Sequence, residues 1–405
     1  MYRFLKKLGP GILFAGAAIG VSHLVQSTRA GAEFDFGLLW ALLLVHLFKY
    51  PFFQYGPRYT LATGETLLDG YYKLGRPVLI AYFILTFATM FTIQTALTVV
   101  TAGLAATLFG IPLHTVWWSS VITAICMVIL LIGRYKLLDR VMKLIVLTLT
   151  ISTFIAVLLA VPDTSATHTL QQILPESDTG IAFLIAFMGW MPAPLDISIW
   201  HSLWAMEKKK SIGNYDLRNS ITDFNLGYAS TIVLGILFMA LGGLVMFGSG
   251  ETFSNNASLF SEQLIALYTG NLGDAAYILI AVAAFTTMFS TTLTTLDASP
   301  RAMSYTTSLF TGKSGSRYYT PWMVVLAAGT IAILLFFMSE MKTLIDIATI
   351  LSFVTAPFYA IINFRLICSG HTPEQYRPGP FLKILSWAGL LFLTGFSLWY
   401  TISLF

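Results

Sequence analysis

Long apolar segments follow one another along the whole sequence, with only short polar stretches between them. A helix of about 20 apolar residues crosses the roughly 30 Å hydrocarbon layer of a bilayer, where every backbone polar group needs an internal partner. Eleven such segments are predicted, at 8–31, 36–66, 78–109, 115–133, 143–161, 179–206, 219–248, 273–309, 320–338, 342–367 and 380–403. We therefore predict an all-α integral membrane protein with a single transmembrane domain over 1–405.

Composition excludes a soluble protein of this size. The 405 residues are 56% hydrophobic and 10% charged, and the mean hydropathy is +0.76, so too few polar side chains are available to cover a globule. Only Cys126 and Cys368 are present, which excludes a disulfide framework and a cysteine metal site. The predicted environment is the lipid bilayer, and the net charge of +4 carries no indication of a nucleic-acid partner.

Basic residues predict the orientation, because short cytoplasmic loops retain Lys and Arg. They cluster before the first segment and after the second, fourth, sixth, eighth and tenth, at Arg3, Lys6, Lys7, Lys73, Arg76, Arg134, Lys136, Arg140, Lys143, Lys208, Lys209, Lys210, Arg218, Lys313, Arg317, Arg377 and Lys383. The opposite loops hold mainly Arg29 and Lys342 with the acids Glu176, Asp178 and Glu251. This pattern predicts a cytoplasmic N-terminus, an external C-terminus and two long external loops, 162–178 and 249–272.

The sixth segment contains "GWMPAPLDISIW", residues 189–200, which is unusual within a membrane helix. Proline lacks an N–H and clashes with the carbonyl four residues earlier, so Pro192 and Pro194 free the carbonyls of Met188 and Trp190. Unpaired backbone groups persist at membrane depth only against protein or a wet cavity. The helix is predicted to stop, restart near Asp196 and form a binding site at the break.

A second break is predicted in "AAIGVSHLVQS" of the first segment, where Gly20 weakens the helix and Ser22 competes for its backbone hydrogen bonds. Broken helices at matching positions of two halves are typical of inverted-repeat secondary transporters. The first and sixth segments each begin a set of five. The predicted organisation is repeat one at about 8–161, repeat two at about 179–367 and an extra helix at about 380–403.

The stretch "GPGILFAGAAIGVSHLVQSTRAGAEFDFGLLWALLL", with "LATGETL" after it, resembles the opening of the natural resistance-associated macrophage protein (Nramp) family of divalent-metal transporters. Met191 and Pro192 match the family's "MP" in the sixth segment. The resemblance implies a LeuT-type 5+5 inverted repeat with helices 1 and 6 broken, a transition-metal substrate and proton coupling. It implies no permanently bound cofactor.

This chain departs from the family pattern at the metal-binding motif itself. The family carries Asp-Pro-Gly-Asn in the first broken helix, whereas the corresponding positions here are Gly20, Val21, Ser22 and His23. The family's Met-Pro-His-Asn becomes Met191, Pro192, Ala193 and Pro194. The chain therefore resembles a divergent branch that lacks the usual metal-binding side chains, and a lone thioether is a poor ligand for Mn²⁺ or Mg²⁺.

Residues at the two breaks are the candidates for binding the substrate. We expect contributions from Gly20, Ser22, His23, Met188, Trp190, Met191, Ala193 and Asp196, with Met191, Asp196 and His23 as the candidate metal ligands. Each has an alternative interpretation. Asp196 also suits the N-cap of the restarted helix, and His23 also suits a buried histidine bonded to a carbonyl. His201 is the weaker histidine candidate because it lies further along the helix.

The coupling ion, H⁺ or Na⁺, has its own candidate residues. Lys49 lies in the middle of the second segment, where an unpaired ammonium is costly. It is therefore expected to form a structural salt bridge, or else to take the place of a coupling cation or sense protons. A hydroxyl stripe on the eighth segment suits a hard cation and also suits helix packing; it comprises Thr287, Ser290, Thr291 and Thr294. Asp297 and Arg301 are predicted to pair at i, i+4.

We predict an ion-coupled secondary transporter of a divalent metal cation of the Mn, Fe or Mg class in a prokaryotic cytoplasmic membrane. The alternatives are a proton- or sodium-coupled transporter of a small organic solute on the same fold, and a passive cation channel. The sequence contains no filter-like repeat, no H-E-x-x-H, no nucleophile motif and no P-loop. Enzyme activity is therefore not expected, and no ATPase subunit is evident.

Overall fold

The computed structural model describes residues 9–111, 114–132, 135–161, 168–211, 216–250, 253–254, 256–272, 277–336 and 341–403, and this part of the chain is all-helical. Its helices are α1 (Pro10–Ala18), α2 (Ser22–Phe34), α3 (Leu39–Thr63), α4 (Leu67–Leu74), α5 (Arg76–Phe109), α6 (Thr115–Leu131), α7 (Tyr135–Ala160), α8 (Asp178–Trp190), α9 (Ile197–Ser211), α10 (Leu217–Met246), α11 (Ala257–Leu272), α12 (Tyr277–Thr311), α13 (Ser316–Phe336), α14 (Met341–Cys368) and α15 (Pro380–Ser403). The predicted basic residues Arg3, Lys6, Lys7 and Arg134 and the acid Glu251 lie outside the described residues.

Each predicted apolar segment coincides with a helix or with a broken pair of helices. Within the described residues, five helices are long and apolar enough to cross a membrane, or six when α1 and α2 form one bent span. The prediction of a long polar loop at 249–272 is wrong for most of its length, because α11 occupies Ala257–Leu272. The apolar side chains of Phe260, Leu264 and Ile265 drive this helix into the protein, where they are buried.

Helix α10 crosses the middle of the protein and packs against α1, α2 and α3. Backbones approach closely where α2 meets α10, since a Cβ atom on Gly31 would overlap the carbonyl oxygen of Met239. Asp223 of α10 accepts hydrogen bonds from the backbone N–H groups of Gly9 (3.1 Å) and Gly11 (2.8 Å). This carboxylate satisfies free N–H groups at the N-terminus of α1 and so fixes the helix that leads into the first break.

Hydrogen bonds near the ends of the helices show which helix ends lie together at each end of the bundle. At one end, Lys209 donates to the carbonyl of Leu61 (3.4 Å) and Arg58 to that of Tyr376 (3.3 Å). The segments after α3, α9 and α14 therefore meet at this end, which we call the basic end. At the other end, the Trp40 indole donates to the carbonyl of Ile173 (2.8 Å), and the loop before α8 lies against the α2–α3 connection.

Candidate substrate site between two broken helices

The first break separates α1 from α2, whose axes differ in direction by 47°. The N–H of Gly20 donates to Ala18 (3.0 Å), so the α-helical pattern to Gly16 is interrupted. Residues Ser22–Ser27 then form a π-helical turn before α-helix resumes at Thr28. The predicted break near Gly20 to Ser22 is therefore present, and irregular turns of this kind often mark functional sites.

The second break lies between α8, which ends at Trp190, and α9, which begins at Ile197. The intervening residues 191–196 contain both prolines of the motif and are fully or largely buried. The predicted discontinuity of the sixth segment is thus present as well. It lies beside the first break, because Ser27 of α2 approaches the thioether sulfur of Met191 at 3.9 Å.

A small cavity lies between the two breaks. Its volume is about 20 Å³, which holds about one water molecule, so this conformation has no room for a hydrated cation. The walls come from both broken helices and from α5 and α12, and they comprise Ala17, Ala18, Gly20, Val21, Ser22, Ile93, Leu97, Trp190, Pro194, Ile197, Trp200, Thr291 and Thr295. Ser22, Thr291 and Thr295 are therefore the hydroxyl-bearing residues of an otherwise apolar wall.

Gly20 and Thr291 lie close together in the wall of this cavity. A Cβ atom on Gly20 would lie 2.9 Å from the Cγ2 atom of Thr291. The hydroxyl of Thr291 lies 3.4 Å from the carbonyl oxygens of Gly16 and Ile19 and 3.1 Å from that of Thr287. One proton cannot serve three carbonyls at once, so an oxygen-rich corner remains where α1 ends.

We expect Gly20→Ala to lower the unfolding temperature of the detergent-purified protein, because overpacking a tight interior typically costs about 1–3 kcal/mol. The Thr291→Ser exchange removes Cγ2, the atom nearest the new methyl group, and should recover much of the loss when combined with Gly20→Ala. Equal unfolding temperatures for wild type and Gly20→Ala would show that the cavity wall yields easily. Any aspartate at this position would meet the same obstacle.

His23 points away from the cavity and is engaged on both ring nitrogens. Its Nδ1 lies 2.7 Å from the Ser22 hydroxyl, and its Nε2 lies 3.0 Å from the carbonyl oxygen of Thr231 on α10. The ring is fully buried. Met191 is also fully buried and does not line the cavity, so the two side chains act at the junction of helices in this conformation.

Asp196 lies directly before α9, in the position of an N-cap. Its backbone carbonyl oxygen accepts a hydrogen bond from the N–H of Ile199 (2.9 Å). Its side chain is 6% exposed, and its Oδ1 has no hydrogen-bond partner among the described residues. The carboxylate interacts electrostatically with Lys49 and with the phenols of Tyr71, Tyr82 and Tyr359. This carboxylate therefore lies behind the cavity wall, in a buried polar cluster that its sequence position did not indicate.

Lys49 of α3 fills the second break. Its ammonium nitrogen lies 2.8 Å from the carbonyl oxygen of Met188, 2.7 Å from that of Gly189 and 3.3 Å from that of Ala193. Of the two carbonyls that the prolines were predicted to free, that of Met188 is thus occupied by a side chain, whereas that of Trp190 is not among the contacts of Lys49. Among the described residues, the hydrogen-bond partners of the Lys49 ammonium are backbone oxygens, and not the acid of the predicted salt bridge.

The predicted hydroxyl stripe of α12 divides between two surroundings. Thr291 lines the cavity, whereas Thr287 donates back to the carbonyl of Ala283 (2.7 Å) within its own helix. Ser290 and Thr294 are buried, and the Thr294 hydroxyl has no partner among the described residues. The stripe is therefore split between the cavity and the helix interfaces.

The cavity is close to a vestibule of about 780 Å³ at the basic end, whose lining includes Glu65, Asp69, Glu207, Lys210 and Tyr319. Trp200 borders the cavity and Leu203, less than one helical turn later in α9, borders the vestibule. The predicted Asp297–Arg301 pair is confirmed at 2.7 Å, and Arg301 lines the same vestibule.

The opposite end is closed by a network between α2 and α14. Arg29 is 3% exposed and donates to Asp346 at 3.0 Å and to Gln26 at 3.0 Å. Lys342 lies 3.8 Å from Glu33. The two cations predicted for this end therefore pair with acids. Within the part of the chain that the structure describes, no cluster of three His, Cys, Asp or Glu residues is found.

Sequence reasoning missed several residues of the cavity wall. Trp200, Ile93 and Leu97 are ordinary apolar residues of long helices, and nothing in their spacing distinguishes them from core residues. Thr295 could have been found, since it lies one turn beyond Thr291 and continues the same hydroxyl face. The role of Tyr71, Tyr82 and Tyr359 beside Asp196 depends on helices far apart in the chain.

Comparisons with known proteins give a consistent result. A family model described as "natural resistance-associated macrophage protein-like" matches residues 11–403. The uncharacterized protein PM0681 of Pasteurella multocida is 36% identical over 402 residues, covering 96% of this chain and 90% of the relative. The divalent metal cation transporter MntH of Staphylococcus saprophyticus is 22% identical over 413 residues, covering 98% and 92%. The manganese transporter of Eremococcus coleocola shares the fold with a TM-score of 0.77 at 15% identity, covering 98% and 86%.

Proposed function

The chain belongs to the natural resistance-associated macrophage protein (Nramp) family, and on that premise we propose that it is a secondary transporter of divalent metal cations of the Mn, Fe or Mg class. The observation that supports this most is the pair of facing helix breaks with a cavity between them. A binding chamber at such a break is what alternating access requires. The LeuT-type helical fold is consistent with a transporter rather than an enzyme.

We further propose the arrangement in the membrane. Eleven crossings form one domain over 1–405, with repeats at about 8–161 and 179–367 and an extra helix at about 380–403. The basic end faces the cytoplasm of a prokaryotic cell and the C-terminus is external, because the Lys- and Arg-rich segments meet at one end of the bundle. The vestibule would then be the cytoplasmic entrance.

The metal ion is proposed to bind through oxygen atoms. Ser22 and Thr291 line the otherwise apolar cavity, and the carbonyl oxygens of Gly16 and Ile19 lie 3.4 Å from the Thr291 hydroxyl. Oxygen donors suit hard cations such as Mg²⁺ and Mn²⁺ better than soft ones. With about one water's volume available, the chamber must open before a hydrated ion enters.

For energy coupling we propose protons carried by Asp196. His23 is engaged on both nitrogens and Lys49 on three carbonyls, whereas one carboxylate oxygen of Asp196 has no partner in the described part of the chain. The alternative coupling ion is Na⁺ at the oxygen-rich corner near Thr291.

Uptake into proteoliposomes tests the proposed function. We expect Mg²⁺ or Mn²⁺ to accumulate when a pH gradient is imposed, because the proposed cargo ligands are oxygen atoms and Asp196 is proposed to carry a proton. Ser22→Ala together with Thr291→Val should reduce uptake, and the matched control is Thr401→Val in α15, whose hydroxyl donates to the carbonyl of Ser397 in the same helix. Uptake of an organic solute without metal would contradict the proposal. Metal flux that neither saturates with metal concentration nor responds to the pH gradient would also contradict it, because such flux indicates a channel.

A further inference from the structure

Lys49 is a fully buried cation whose ammonium contacts backbone carbonyls of the opposite repeat. Its side chain is 0% exposed, and its three acceptors are the carbonyl oxygens of Met188, Gly189 and Ala193, at 2.8, 2.7 and 3.3 Å. Asp196 acts on it only through longer-range electrostatics. The immediate neighbours of this charge are therefore three dipoles of one helix break.

The helix break is what makes these carbonyls available. Helix α8 ends at Trp190, so the oxygens of Met188 and Gly189 belong to its last turn and lack intrahelical donors. Pro192 has no N–H to offer the Met188 carbonyl. The partial negative charge at a helix C-terminus also favours a cation there. The second break is thus an electrostatically suitable cation site.

The number of hydrogen bonds indicates whether Lys49 occupies the site as an ammonium or as a neutral amine. An ammonium has three donors and no acceptor, and its three contacts are all carbonyl oxygens. A neutral amine would direct its lone pair at one of those oxygens. The geometry therefore fits the charged form.

We propose that the α8–α9 break is a binding site for a monovalent cation of ammonium type, and that the chain fills it permanently with the tethered ammonium of Lys49. The Lys49 ammonium thereby takes the place of a bound ion and connects α3 to the α8–α9 break. The three carbonyls are withheld from the transported metal. The inference concerns the break alone and rests on the proposed function only where uptake is the readout.

Chemical rescue tests the proposal without reference to transport. Lys49→Ala removes the ammonium together with its aliphatic stem and leaves a space for a small cation. We expect the purified variant to unfold at a lower temperature than wild type, and methylammonium chloride to raise that temperature saturably. Sodium chloride at equal ionic strength should not raise it, because a bare Na⁺ does not offer three directed N–H donors.

Matched variants separate charge from packing. Lys49→Met fills the stem's volume without the charge, so it should lose stability and show no methylammonium response. Lys342→Ala, which removes a partly exposed lysine paired with Glu33, should behave as wild type. If Lys49→Ala does not fold, Lys49→Gln provides a second test, since its amide supplies two of the three donors and should be intermediate in stability.

Uptake by Lys49→Ala is the second readout, and methylammonium should restore it in parallel with stability. If methylammonium restores the stability of Lys49→Ala but neither the wild type nor any variant takes up metal, the proposed function is contradicted and the cation site is still supported. The site itself would be overturned if Lys49→Met matched wild type in stability, or if Na⁺ and methylammonium affected folded Lys49→Ala equally.

Discussion

Replacing Asp196 with asparagine is expected to abolish accumulation driven by a pH gradient while leaving downhill movement of the metal. The amide keeps the size and the N-cap acceptor of the carboxylate but cannot carry a proton. With one proton per cation, a gradient of one pH unit corresponds to about tenfold accumulation in the wild type, since 1.4 kcal/mol is a factor of ten. The ratio for Asp196→Asn should fall to about one.

The measurement is uptake at equal internal and external metal concentration, with and without the pH gradient. Thr291→Val is the informative companion, because it removes the hydroxyl of the alternative Na⁺ corner. It should lower the rate of uptake, since Thr291 is also a proposed metal ligand, but it should leave the accumulation ratio set by the pH gradient in place. Sodium-dependent uptake that Thr291→Val abolishes, with no response to pH, would transfer the coupling site from Asp196 to α12. Indifference to both gradients would indicate uncoupled movement.

The Asp346→Ala exchange is expected to open the end of the protein opposite the vestibule. Arg29 is buried and donates to Asp346, which also accepts from Gln26 at 3.3 Å. Removing one partner of a buried ion pair costs about 3–5 kcal/mol. Because the Asp346 side chain is 30% exposed, we expect a smaller effect, about 1–3 kcal/mol against the closed arrangement of α2 and α14.

A cysteine at position 93 can report this opening, since Ile93 lines the cavity and Cys126 and Cys368 can be replaced by serine. Because the cavity holds about one water molecule, a membrane-impermeant maleimide should label Ile93→Cys slowly from either end, and faster from the end opposite the vestibule after Asp346→Ala. The control is Lys342→Ala, which removes the weaker 3.8 Å contact with Glu33. Unchanged labelling after Asp346→Ala would mean that apolar packing alone keeps this end closed.

The transmembrane helices and both breaks could be predicted from local sequence. Apolar segments of sufficient length need no tertiary information to be identified, because the bilayer itself imposes the length. The prolines at 192 and 194 interrupt hydrogen bonding wherever the helix lies. The pairing of Asp297 with Arg301 follows from helical spacing alone.

The chemistry at the breaks depended on contacts between distant segments. Nothing near Lys49 in the sequence specifies that its ammonium meets carbonyls about 140 residues later. The same holds for His23, which a carbonyl of α10 holds away from the cavity. Helix α11 was misjudged because its polar flanks resemble a loop, whereas its apolar face finds a partner only in the folded protein.

The sequence by itself therefore determined an all-helical membrane protein and its two interrupted helices. These are properties of composition and of covalent backbone chemistry, and each acts within a few residues. Only the tertiary structure decided which groups occupy the breaks. A freed carbonyl in a membrane protein must find some partner, and whether that partner is a metal ion, a hydroxyl or a lysine depends on which helix packs beside it.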